Sequence, residues 1–156
     1  MKINKKASRN PNLYVFSHEH HHGLVFAARL KKASITDAAI IQKYILRFWN
    51  KALKNHFRKE EELFLDLINQ KDIKKQFTSD HLEIRTLINS IQNEKDDLND
   101  KAKLLSDLLK AHIKFEEKIL FPWLQDNLSD NALKTIGDTL KRIEVKADDF
   151  EPHFWK

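Results

Sequence analysis

The chain has no cysteine, and only two glycines and three prolines among 156 residues. Without cysteine there is no disulfide framework, no thiolate metal site and no redox dithiol, and a reducing cytoplasm is the expected compartment. So little glycine and proline leaves few tight turns, which argues against a sandwich or a barrel. No apolar run approaches the roughly 18 residues of a membrane span. The basic start "MKINKKASRNPNLYVF" lacks the apolar stretch of a signal peptide. A one-signed charge block is missing as well. The net charge of +5 comes from 28 Lys and Arg scattered among 23 Asp and Glu, so the charge reads as the wet side of helices rather than a nucleic-acid interface.

What is present is helical. The expected fold is all-α, an up-down-up-down four-helix bundle with a short additional C-terminal helical segment. Residues 1–12 read as a flexible basic arm, 13–147 as the bundle and 148–156 as an aromatic tail able to fold back on it. The first helix is expected from about Ser17, its N-cap, to Lys32, with a stripe of Phe16, His20, Leu24, Ala27 and Leu30. After "ASITD", where Ser34 or Thr36 could cap, a long second helix runs from about Asp37 to Asn69 through Ile41, Ile45, Leu53, His56, Glu60, Leu63 and Leu67. The third stripe is Phe77, His81, Ile84, Ile88 and Ile91; the fourth is Leu105, Leu108, His112, Phe115 or Glu116, and Ile119. Pro122 should kink or end the fourth helix, and Ser129 opens the extra segment.

Each stripe carries one inward histidine. In antiparallel neighbours, two residues share a height when the turn lies midway between them. The midpoint of His20 and His56 is residue 38, that of His56 and His81 falls at 68–69, and that of His81 and His112 at 96–97, all in or beside the breaks. One imidazole per helix therefore belongs to a single layer. His56 and His112 each have a glutamate four residues on, Glu60 and Glu116, and residues at i and i+4 share a helix face. Two buried carboxylates ringed by imidazoles call for a cation, because an unpaired buried charge costs several kcal/mol, about 3–5 when a partner is removed. Imidazole with carboxylate and no thiolate suits iron, manganese or zinc. Glu61 and Glu117 could ligate, bridge, or accept the outer imidazole N–H. His21 or His22 could approach the edge of the site, whereas His18 and His153 are expected on the surface.

The segments "EHHHGL", "HFRKEEELF", "DHLEIR" and "HIKFEEKILFPWL", in that order over residues 16–124, resemble the hemerythrin-like, or HHE cation-binding, family. The resemblance implies a bundle around a non-haem di-iron centre with two carboxylate bridges and an oxo or hydroxo bridge. By position it implies His20, His56, Glu60, His81, His112 and Glu116 as metal-binding residues, with Glu60 and either Glu116 or Glu117 bridging. The His-x-x-x-Glu order differs from the Glu-x-x-His of ferritin-like proteins. Oxygen-carrying members have a second histidine one turn from the first on the third helix, where this chain has Phe77 and Arg85. The expectation is therefore an evenly ligated, more open pair that meets dioxygen, peroxide or nitric oxide, in an apolar pocket of Phe16, Leu24, Phe48 and Phe115. A mononuclear iron, manganese or zinc site is a second expectation. A redox or iron sensor without turnover, with a protein partner or a second copy docking at the tail, is a third. A zinc hydrolase would need an open position and a nearby base.

Overall fold

Four apolar stripes have to be hidden from water together. The structure, a computed structural model that describes residues 9–33, 37–140, 150 and 152–155, hides them between four helical rods. The first rod is α1 (Tyr14–Leu30). The second joins α2 (Ala38–Phe48) to α3 (Lys54–Phe64) through a π-helical turn, Trp49–Leu53. The third is α4 (Lys71–Asn93). The fourth joins α5 (Leu98–Phe115) to α6 (Phe121–Asn127) through a second π turn, Glu116–Leu120, and α7 (Asp130–Leu140) follows. Short connections make successive rods antiparallel, and the fourth rod packs between the first and the third. No strand occurs among the described residues, and no helix among them is long and apolar enough to cross a membrane.

The helix ends follow local chemistry. Asp37 caps α2 by accepting from the Ala39 N–H at 2.8 Å, while Ser34 and Thr36, the expected caps, lie outside the described residues. Gln70 serves α4 and Ser129 serves α7 in the same way. Ser17 does not cap α1. The helix begins earlier, after a 3-10 turn at Pro11–Leu13 in which proline sits where no N–H is needed. Pro122 does not end the fourth rod, because the π turn before it places the proline at the start of a fresh α segment that runs on to Asn127. Of the arm expected at 1–12, residues 1–8 lie outside the described residues. Arg9 and Asn10 are held rather than loose: the Arg9 guanidinium and the Asn10 N–H both donate to Gln125 Oε1.

Most of the stripes point inward as spaced, with five departures, of which one is Leu108, half-buried beside the fully packed Leu109. Leu24 is 42% exposed, and Gly23 and Phe26 take the buried positions around it. Gly23 lets the Ile113 side chain approach α1, since a Cβ there would lie 2.9 Å from Ile113 Cδ1. Leu67 is exposed and Leu63 only half-buried; Phe64 and Ile68, one residue later, carry the face. The larger Phe64 ring offers more apolar area, and it packs 4.9 Å from Phe16. Ile119 is exposed and Leu120 buried, because the π turn inserts one residue and rotates the face.

The core is divided. One apolar cluster gathers Phe26, Leu30, Ile41, Tyr44, Ile45, Phe57, Ile84, Ile88, Leu105 and Leu109. The other gathers Leu13, Phe16, Phe64, Ile68, Phe77, Leu120, Phe121, Leu124 and Ile136. Near the boundary of the two clusters every rod buries one histidine, and the second and fourth rods each add a fully buried glutamate. Residues 141–149 lie outside the described residues. The described part of the tail folds back on the first cluster: the Phe150, Phe154 and Trp155 rings surround Tyr44 at 5.0, 4.9 and 5.4 Å, and Arg29 stacks on Trp155.

Candidate metal centre

Four imidazoles and two carboxylates fill the layer between the clusters. His20 comes from α1, His56 and Glu60 from α3, His81 from α4, His112 from the end of α5, and Glu116 from the π turn that follows. None is more than 5% exposed, and both glutamates are fully buried. Both π turns lie in the rods that carry His-x-x-x-Glu, one just before His56 and one starting at Glu116. This is where local rewinding of a helix commonly serves a site.

All four histidines point Nε2 inward. His56 Nε2 lies 3.1 Å from Glu60 Oε2, and His112 Nε2 lies 3.0 Å from Glu116 Oε2. Across the bundle, His81 Nε2 approaches Glu60 Oε1 at 3.2 Å and His20 Nε2 approaches Glu116 Oε1 at 2.7 Å. The donors fall into two overlapping sets, His20–His56–Glu60–Glu116 and His81–His112–Glu60–Glu116. Within each set the ligand atoms lie within 4.8 Å of one another. Each glutamate thus has one oxygen toward each histidine pair.

The outward Nδ1 atoms meet a second ring of acids. Glu117 lies 2.6 Å from His20 Nδ1, Glu19 2.7 Å from His56, Glu61 2.6 Å from His81 and Asp80 2.8 Å from His112. The pattern is cyclic. The first rod's acid holds the second rod's histidine, the second holds the third, the third holds the fourth, and the fourth returns to the first. Each acid is itself tethered: Glu117 by Ser17 and Arg9, Glu19 by Lys59, Glu61 by Arg85, and Asp80 by Gln76. An acid on Nδ1 fixes the ring and directs the Nε2 lone pair inward, as metal-binding histidines require.

Electrostatics agrees with this division. Burial pulls the His81 imidazole down, but the surrounding carboxylates of Glu116, Glu60 and Glu61 outweigh it and raise it to about 11. His112 is likewise lowered by burial and raised by Glu116 and Asp80, to about 9. Burial pushes Glu116 up, yet His112 and His20 hold it well below the usual carboxylate range. Even so, both Glu60 oxygens, Glu116 Oε2, His81 Nε2 and His112 Nε2 are buried without a hydrogen-bond partner. Leaving such groups unsatisfied is expensive. A cation among them would satisfy all five, and nitrogen and oxygen donors suit the borderline divalent metals. The residues present therefore fit a metal.

Aromatic rings wall the layer. Phe57 stacks on His81 at 4.0 Å, Phe121 on His20 at 5.4 Å, and Phe16 meets His56 edge-on. Of the pocket expected from sequence, Phe16 belongs to this wall and Phe115 lies beside His112 at 6.1 Å. Leu24 is exposed, and Phe48 packs on Phe26, away from the layer. His21 is exposed and His22 half-buried, and neither joins the inner sets. Glu61 and Glu117 stand on the outer ring and join neither inner set, whereas Glu116 belongs to both. Glu19 and Asp80 were missed, although each directly precedes an inward histidine in the sequence.

No curated protein and no solved structure matches the chain significantly. A family model does: the one described as "Hemerythrin HHE cation binding domain" matches residues 12–124, a span that takes in all six inner donors and all four outer acids. The chain is a member of the hemerythrin HHE cation-binding domain family.

Proposed function

We propose that the protein is a non-haem di-iron protein whose centre binds or reacts with a small oxidant such as dioxygen, peroxide or nitric oxide. The observation that carries this reading is the sharing of Glu60 and Glu116 between two histidine pairs, which offers two adjacent ions a common pair of carboxylates. His20 and His56 would hold one ion, and His81 and His112 the other. Iron would supply redox chemistry toward the small molecule. Each ion would draw four protein donors, fewer than the six of an octahedral ion, so positions remain for an outside ligand. The burial of all six donors and the ring of phenylalanines admit only something small and exclude bulk water from the layer.

The protein's own part is orientation. The outer acids hold the imidazoles in one tautomer, and the buried glutamates are kept ionised by their histidines. Elemental analysis of untagged protein should find close to two irons per chain, with the near-ultraviolet absorption of a bridged ferric pair. His56→Ala and Glu60→Ala should abolish both. An iron-replete protein whose spectrum is indifferent to these changes would overturn the proposal.

A further inference from the structure

Four histidines lie outside the buried layer, and three of them, His18, His21 and His22, are neighbours on α1. His18 and His22 are one helical turn apart on α1, so their side chains share a face of the helix. His18 is exposed and His22 half-buried. Their ring centroids are 5.0 Å apart. The pairs in the buried layer show the same spacing: 5.0 Å for His20 and His56, and 4.8 Å for His81 and His112. The number has a simple origin. With metal–nitrogen bonds of about 2.0–2.1 Å, each ring centroid lies about 3.2 Å from a shared ion, so bond angles between ~90° and ~109° need centroids roughly 4.5–5.2 Å apart. The neighbouring His21 and His22 rings, at 5.9 Å, fall outside that range.

We infer that His18 and His22 form a second, surface site for one divalent transition cation such as nickel, copper or zinc, separate from the buried layer. Two imidazoles supply nitrogen donors to it. Imidazole nitrogen donors favour the later first-row ions over calcium or magnesium. The helix fixes the two Cβ atoms on one face before any ion arrives. The site places a captured cation on the outer side of the same helix that sends His20 inward.

Calorimetric titration of untagged, full-length protein with nickel tests this, with retention on immobilised nickel as a second readout. The wild-type chain should take up one more nickel than the His18→Ala, His22→Gln double variant and should be retained longer. Each single variant should lose that equivalent, and His153→Ala, which alters an exposed histidine elsewhere, should keep it. Helical circular dichroism and metal content of the buried layer, unchanged in the variants, show that only the surface pair was altered. Equal nickel uptake by wild type and double variant would overturn the inference, as would loss of the extra equivalent in His153→Ala. Neither result bears on the di-iron reading, which concerns other residues.

Discussion

The hydrocarbon cluster around Phe26, Tyr44 and Ile88 and the histidine layer are built on the same four rods, yet they hold together for different reasons. The first excludes water and needs nothing further; its buried side chains are at most 7% exposed. The second buries two carboxylates and four imidazoles in comparable dryness and leaves five polar atoms without a partner. One region satisfies its groups by packing alone, and the other gathers donors that a cation would satisfy. A bundle of this kind can keep a costly polar layer because the apolar clusters on either side of it carry the burden of stability.

Perturbations can separate the two regions. The largest effect should come from Glu116→Ala. It removes a donor from both sets at once, so metal content should fall toward zero. In the metal-free protein it leaves raised, uncompensated imidazoles and should cost about 3–5 kcal/mol in denaturant unfolding. Phe26→Ala should cost a similar ~3–5 kcal/mol, but by the same amount with and without metal. If its cost instead depended on metal, the two regions would be coupled rather than distinct.

A smaller effect is expected at the outer ring. Glu19→Ala frees the His56 ring, as well as the Lys59 side chain, and should weaken metal binding roughly 10–100-fold, read by competition with a chelator. Unfolding of the metal-free chain should change far less.

Proton linkage gives the next distinction. Raised imidazoles, His81 to about 11 and His112 to about 9, hold protons at neutral pH in the metal-free protein, and a metal needs them neutral. Metal uptake should therefore release protons and tighten as pH rises, measurable in weakly buffered solution. Without metal, the contribution of His112 to stability is complete below its ordinary 6.5 and is lost as pH rises through about 9. The opposite limb belongs to Glu61, lowered to about 2, whose contribution is present above its ordinary 4.5 and is lost as pH falls toward about 2. Phe26→Ala should leave this profile unmoved.

The smallest effect should be at Gly23. Alanine there gains helix propensity worth roughly 0.5–1 kcal/mol, against the shift of one terminal methyl of Ile113. The midpoint of unfolding should move little, and metal content should not move at all.

The placement of the inner donors was legible in the sequence because it follows from two periodicities: one apolar stripe per helix, and turns midway between histidines. Helix faces beyond the layer were less so. Adjacent apolar pairs such as Leu63–Phe64 leave the face uncertain by one residue. Ile119 was misplaced because an α period is assumed where a π turn adds a residue, and nothing in "EEKIL" announces one. Glu19 and Asp80 escaped attention for another reason. Reading each stripe alone shows what points inward, whereas their role is to reach across to the next rod. The signal was present as acid beside donor in Glu19–His20, Glu60–Glu61, Asp80–His81 and Glu116–Glu117.

That round of acids and rings has a mechanical meaning. Every rod both grips a neighbour and is gripped by one, so twisting any rod about its own axis, or sliding it by a turn, must break two bonds of the round together. The bundle is keyed against rotation like a set of meshed gears that closes on itself and cannot turn.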